Sequence, residues 1–155
     1  MILFPKEIAE ALARNGKATR QSQIDHGTEI DHKPVVKLFS PVGGATWLFT
    51  ESDPDEPDTL FGLCDMGMGE PELGYASRGE LEHVTVPLRI VGKGTVGELP
   101  LERDLHFRAD YPLSVYAEAA RAQRRITEDR SDLERAAKII AQERAASKAT
   151  EGQEE

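Results

Sequence analysis

The sequence predicts an α+β fold: a small antiparallel or mixed sheet of about five strands, with short helices and a C-terminal helical extension. The first reason is a set of runs rich in Val, Phe, Trp and Thr, which favour strands: PVVKLFSP, ATWLFTE and TLFGLCDM. The second is a change near Leu113 to alanine, arginine and glutamate, which is typical of helices. We therefore predict a globular domain over residues 1–112, helices over 113–147 and a disordered tail over 148–155.

The N-terminal part is predicted to hold one short helix and then a hairpin. Pro5 suits a first helical turn and Asn15-Gly16 a C-terminal stop, so the helix is predicted to end at Asn15. Residues 17–33 are polar and aperiodic, which predicts a loop. The runs PVVKLFSP and ATWLFTE are joined by a short link with two glycines, which favours a β-hairpin.

The middle of the chain supplies the remaining predicted strands. TLFGLCDM is the third and ELGYA the fourth, and Ser77 followed by Glu80 has capping-box spacing, which predicts a helical turn. Residues 84–100 contain three glycines and two prolines and are predicted to be irregular or weakly stranded. DLHFRAD alternates, with Leu105 and Phe107 inward, and is the fifth predicted strand.

Two helices are predicted in the C-terminal extension. The first spans about Val115–Ile126, and the second begins at Ser131, whose spacing to a following glutamate fits a capping box. Their apolar stripes consist largely of alanine, so their burial stabilises them little. We expect Leu113 and Tyr116 to dock the first helix, and a chain ending near residue 129 to keep most of its stability.

Composition limits the class and the compartment. No apolar run approaches the ~20 residues that cross a bilayer, and the N-terminus has only four apolar residues before Pro5, unlike a signal peptide. The single cysteine, Cys64, excludes an internal disulfide framework. These features predict a cytoplasmic protein without a membrane partner.

The negative charge is concentrated in one segment. The formal net charge is −9, which argues against direct binding of nucleic acid, because phosphate contacts need a basic surface. Residues 51–82 hold ten acids and only one base, whereas acids and bases cancel over the rest of the chain. A field of one sign favours association with a basic partner.

Three polar groups of residues are candidates for binding, although solvent-exposed faces show the same patterns. The first is the acidic loop between the second and third strands, the second lies in EPELGY, and the third lies in PLERDLHF, where alternate residues would share one strand face. The candidates are Asp53, Asp55, Glu56, Asp58, Glu72, Tyr75, Glu102, Arg103, Asp104 and His106.

No pattern indicates a catalytic residue, a metal site or a cofactor. The acidic loop lacks the turn glycine and the distal glutamate of a calcium loop. His26 and His32 are six residues apart, which fits no zinc-ligand spacing. Cys64 lies among apolar residues and is interpreted as an inert core thiol.

Several motifs together resemble the domain-of-unknown-function 2958 family. They are, in order, PVVKLFSP, TWLFTESDP, DTLFGLCDMGMGEPELGY, SRGELE and PLERDLHFRAD, covering roughly residues 30–112. The resemblance implies a protein carried by bacterial plasmids, integrative elements or phages, and brings no established activity, cofactor or site residue. The sequence departs from the family after Leu81, where VPLRIVGKGTVGE is longer than the usual turn.

These observations lead to one preferred function and two alternatives. The preferred function is a non-enzymatic accessory protein of a bacterial mobile element that uses its acidic region, residues 51–82, to bind a protein partner with a basic surface. The sequence leaves a homodimer open. The first alternative is a small enzyme or ligand-binding domain whose site combines Glu72 and Tyr75 with the PLERDLHF group. The second is an inhibitor of a host defence protein that mimics the phosphates of DNA.

Overall fold

A computed structural model describes residues 1–153. Eleven helices and strands follow one another along this part of the chain. They are α1 (Lys6–His26), β1 (Val36–Phe39), β2 (Thr46–Ser52), β3 (Thr59–Asp65), β4 (Glu72–Ser77), α2 (Arg78–His83), β5 (Thr85–Ile90), β6 (Gly94–Pro100), β7 (Glu102–Arg103), α3 (Leu113–Gln123) and α4 (Arg130–Gln153).

The strands form two sheets, and the predicted α+β fold is confirmed. Five strands pair antiparallel in the order β4-β3-β2-β1-β7. Strands β5 and β6 form a separate two-stranded sheet. Consecutive strands β1 to β4 are neighbours because each is joined to the next by a short turn.

Each face of the five-stranded sheet has its own apolar core. On one face, Leu38, Phe49 and Leu60 pack with Leu12 of α1 and with Leu81 of α2. On the other face, Leu48 and Leu63 pack against α3 and α4. Alternate side chains of β2 and β3 therefore enter different cores, as the period of two requires.

Helix α1 is longer than the sequence predicts, and the predicted stop at Asn15 is wrong. The helix continues through Gly16 to His26 and ends at Gly27, whose φ of 68° is the left-handed conformation that glycine adopts easily. Gly16 lies directly against β2: a Cβ built on it would be 1.8 Å from the Ser52 carbonyl oxygen. The glycine therefore permits close packing of helix on strand instead of ending the helix.

The predicted strand DLHFRAD is also wrong. Strand β7 comprises only Glu102 and Arg103, and the last backbone hydrogen bond to β1 runs from the Asp104 N–H to the Lys37 carbonyl at 3.0 Å. The Asp104 carboxylate then accepts the His106 N–H at 2.9 Å, which turns the backbone. Leu105, expected inward, is 61% exposed. Phe107, also expected inward, packs against the second core and lies edge-on to the Tyr116 ring, so the expected orientation is confirmed for Phe107 and wrong for Leu105.

The region 84–100, predicted to be irregular or weakly stranded, forms a regular hairpin that we call the β5–β6 arm (residues 85–100). Its strands pair over almost their full length, and Val86 near its base packs against the first core. The glycines lie at the turn and at a shift of register, so they support the hairpin.

Helices α3 and α4 pack together on the sheet. Leu113 and Tyr116 of α3 are buried, as predicted, and so are Leu133 and Ala136 of α4. The loop between them is fixed by the buried carboxylate of Asp65, which accepts the Ile126 N–H at 3.0 Å.

The start and end of α4 differ from the prediction. Asp129 caps the helix by accepting the Ser131 N–H at 2.9 Å, so the cap is not Ser131. Helix α4 continues to Gln153, through most of the segment predicted to be disordered, and residues 154–155 of that segment lie outside the described residues. Within residues 1–153, none of the helices is long and apolar enough to cross a membrane.

Candidate functional site

Hydrogen bonds to Asp53 and an ion pair with Asp55 hold the acidic loop in its conformation. The Asp53 carboxylate accepts the N–H groups of Asp55 and Glu56 at 2.8 and 3.0 Å, which closes the turn after β2. These N–H groups, followed by the positive charge of Arg20, lower the pKa of Asp53. Arg20 of α1 also binds Asp55, with 2.9 Å between the guanidinium Nη1 and the carboxylate Oδ2.

Asp58 joins the acidic loop to α2. Its carboxylate accepts the Ser77 hydroxyl at 2.5 Å and the Gly79 N–H at 2.8 Å, and the Ser77 bond is the main reason that its pKa is lowered. Ser77 in turn caps α2 by accepting the Glu80 N–H at 3.2 Å, as predicted. The carboxylates of Asp53, Asp55 and Asp58 therefore all bind other groups of the chain. The carboxylate of Glu56 makes a weaker contact, accepting the Thr59 hydroxyl at 3.4 Å.

The other two candidate groups lie at opposite edges of the sheet. Glu72 and Tyr75 are on β4, whereas Glu102 and Arg103 are on β7. Four strand spacings separate these edges, which amounts to about 19 Å. The structure therefore does not bring the two groups into one site.

Two of the candidate side chains near β7, those of Arg103 and Asp104, contact other parts of the chain. Arg103 donates to the Ile2 carbonyl at 3.4 Å, and Asp104 lies 3.7 Å from the Lys37 ammonium, which also pairs with Glu128. The expected alignment of Glu102, Asp104 and His106 on one strand face is wrong, because the strand ends at Arg103.

A cavity of about 130 Å³ lies between α1 and the end of the sheet. Its walls include Arg20 and Gln23 of α1, Glu51 of β2, Phe61 of β3 and Tyr75 of β4. A β-bulge at Thr50 pairs Glu51 with Phe61, so the carboxylate points to the Phe61 side of the sheet. Sequence reasoning missed Glu51, whose only signal was the break in alternation after Phe49.

A hydrogen-bonded chain leads to Glu51. The His32 Nε2 atom lies 3.1 Å from the Asn15 carbonyl and 2.9 Å from the Thr19 hydroxyl. The Thr19 hydroxyl also hydrogen-bonds the Glu51 carboxylate, which connects His32 to Glu51 through Thr19. Burial is the main cause that raises the pKa of Glu51, while the Thr19 hydroxyl lowers it and the charge of Glu29 raises it further. Burial likewise lowers the pKa of His32.

An apolar groove of about 540 Å³ lies on the face of the sheet that carries the first core. It is lined by Trp47, Cys64 and Leu81, with Met66 and Val84 near its opening. Burial raises the pKa of the Cys64 thiol, which keeps it in the unreactive protonated form, consistent with an inert core thiol.

The free edge of the sheet carries a surface that we call the β4 edge patch. It combines exposed apolar side chains with carboxylates, and its members are Met66, Met68, Glu70, Glu72, Leu73 and Tyr75. Leu73 is 50% exposed and Tyr75 is 72% exposed on the same side of β4, and the Tyr75 ring lies 5.3 Å from that of Phe61. Because β4 pairs only with β3 in the described sheet, its outer backbone groups remain available.

Among residues 1–153, no group of three or more histidine, cysteine or acidic side chains is arranged to hold a metal ion.

Comparison with known proteins gives a single family. A model of a family described as a protein of unknown function (DUF2958) matches residues 3–127. Neither a curated protein nor a solved structure matches the chain. The match is longer than the motif-bearing region, since it includes α1, the whole sheet and α3, and it ends before α4. The resemblance seen in the motifs is thereby confirmed, and the chain belongs to the DUF2958 family.

Proposed function

We propose that this protein is a non-enzymatic accessory protein of a bacterial mobile element, and that it binds a protein partner through the β4 edge patch. The association with mobile elements is what the family resemblance implies. The observation that supports the binding role is the edge strand β4, which pairs with only one neighbour in the described sheet and carries exposed Leu73 and Tyr75 on one face. Glu72 is exposed on its other face, and Glu70 is exposed just before the strand begins.

The backbone of β4 defines how such a partner binds. An extended segment that adds to a free strand edge gains main-chain hydrogen bonds, and its alternate side chains then contact the side chains of the edge strand. Solvent-exposed apolar side chains on a long free edge favour aggregation unless a partner covers them. The patch therefore suits an extended segment of a partner.

The charges of the patch define the composition of that segment. Glu70 and Glu72 are exposed at the start of β4, next to Met66 and Met68. A segment with apolar and basic side chains matches this arrangement, and complementary charge contributes mainly to the rate and the specificity of association.

The acidic loop between β2 and β3 contributes less to the proposed binding than the β4 edge patch does. Asp53 and Asp58 hold the loop and α2 in place, so reversing their charges would disturb the fold as well as the surface. The alternative of mimicking DNA phosphates receives less support for the same reason. The alternative of an enzyme site built from both sheet edges receives less support because about 19 Å separates β4 from β7.

The test is capture of partners from a bacterial host lysate on the immobilised protein, with the bound proteins quantified by mass spectrometry. We expect E70K/E72K to lose the partner that the unmodified protein retains. Capture by the unmodified protein should weaken as salt rises from about 0.1 M to about 1 M, over which the screening length falls from ~10 to ~3 Å.

The matched control is E143K/E151K, which reverses two exposed glutamates on α4 and changes the net charge equally. It should retain the partner. Equal capture by the patch variant and by this control would contradict the proposal.

A further inference from the structure

The β5–β6 arm has two long strands but no third strand beside it. In the described residues it forms a sheet of its own and does not pair with the five-stranded sheet. Almost all of its residues are exposed, among them Ile90, Val91 and Val96. A two-stranded hairpin is only marginally stable in water by itself, and a third strand or a packing surface stabilises it.

The tip of the arm is apolar and basic. Val91 is fully exposed at the turn, and Arg89 and Lys93 flank it. The one acid of the arm, Glu98, lies nearer its base and accepts the Thr85 hydroxyl at 2.9 Å. The end of the arm thus carries positive charge in a chain whose net charge is −9.

These properties are complementary to the β4 edge patch. The patch offers exposed Leu73 and Tyr75 with Glu70 and Glu72, and the arm offers exposed Ile90 and Val91 with Arg89 and Lys93. Both β4 and the arm have free backbone edges. The arm is therefore an extended segment with apolar and basic side chains, the composition that the patch suits.

We propose that the occupant of the β4 edge patch in the isolated protein is the β5–β6 arm of a second copy of this chain. Every copy carries both an arm and a patch, so two copies exchange arms reciprocally and form a closed, twofold dimer. This dimer rests on the proposed function because both use the β4 edge patch. A foreign partner then binds to the patch by displacing the arm of the second copy.

The test is the mass of the full chain in solution over a concentration series, by light scattering and sedimentation equilibrium. We expect a dimer whose dissociation constant rises by about tenfold or more in the arm variant R89E/K93E and in the patch variant E70K/E72K, since each converts attractive charge pairs into repulsive ones. The matched control E143K/E151K should dimerise as the unmodified chain does.

Combining both pairs of reversals in one chain gives the decisive variant. R89E/K93E/E70K/E72K restores opposite charges across the interface, and we expect it to recover the dimer. A chain that is monomeric throughout the series, a dimer that neither pair weakens, or a failure of the combined variant to recover the dimer would overturn the proposal.

The same variants separate this proposal from the proposed function. The arm variant R89E/K93E retains the β4 edge patch and should capture a foreign partner at least as well as the unmodified protein. If the unmodified chain is monomeric and E70K/E72K still abolishes partner capture, the dimer is refuted and the binding function stands. If the chain forms the dimer and no partner depends on the patch, the binding function is refuted and the dimer stands.

Discussion

Replacing Gly16 by alanine tests the contact between α1 and the sheet, because helix propensity and packing predict opposite signs. In the interior of an exposed helix, alanine is more favourable than glycine by about 1 kcal/mol. At Gly16 the new Cβ would lie 1.8 Å from the Ser52 carbonyl oxygen, whereas ordinary contacts are at 3.4–4 Å. Helix α1 would have to move away from β2 by about 1.6 Å, the difference between these distances.

The magnitude follows from these two opposed effects. Inserting a methyl group into a closely packed contact costs about 3 kcal/mol when the backbone has to move. Subtracting the gain in helix propensity leaves a net destabilisation of about 2 kcal/mol. For a chain of this length the melting temperature should fall by about 4–8 °C.

The assay is thermal unfolding followed by circular dichroism. Gly152→Ala in α4 is the matched control, because it is also a helical glycine but a Cβ there would meet no atom within 4 Å. The control should leave the melting temperature unchanged or raise it slightly. A melting temperature for Gly16→Ala equal to or above that of the unmodified protein would refute the close packing of α1 on β2.

Two further predictions concern the second core and the cavity. Leu133→Ala in the second core should destabilise the fold by about 3 kcal/mol and lower the melting temperature by about 6–12 °C. Lys138→Ala, at an exposed position of the same helix, is the neutral control. A fall below about 2 °C would instead support the sequence-based expectation that α4 adds little to the stability. Because burial raises the folded-state pKa of Glu51, stability should decrease as pH rises from the unfolded value of about 4.3 through the folded value. Glu51→Gln should therefore raise the melting temperature at pH 7 and lose this advantage below about pH 4; a lower melting temperature at pH 7 would show that the Thr19 hydrogen bond to the carboxylate outweighs the cost of burial.

Much of the sheet could be predicted because its determinants are local. Alternating apolar side chains and short turns identified β1 to β4, and the spacing of Ser77 and Glu80 identified the cap of α2. The fifth strand could not be predicted in the same way. Alternation at Leu105 and Phe107 is compatible with a strand, but the Asp104 carboxylate binds the His106 N–H and turns the chain.

The candidate site depended more strongly on tertiary structure. The acidic composition of residues 51–82 was evident from the sequence, but the engagement of Asp55 by Arg20 joins residues that are 35 positions apart. The bulge that directs Glu51 into the cavity arises from pairing between β2 and β3. Neither the ion pair nor the bulge produces a local sequence pattern, so the sequence analysis assigned the acids of the loop to a solvent-exposed binding surface.

The sequence by itself determined the fold class, the strands from β1 to β4, the local excess of acids and the family motifs, because periodicity, turn residues and composition act over a few neighbours. The tertiary structure alone decided that α1 passes through Gly16, because the reason is the Ser52 carbonyl oxygen of a distant strand. It also decided that β4 and β7 are opposite edges, since strand order depends on long-range pairing. This order separates Tyr75 from Glu102 and leaves β4 as a free edge.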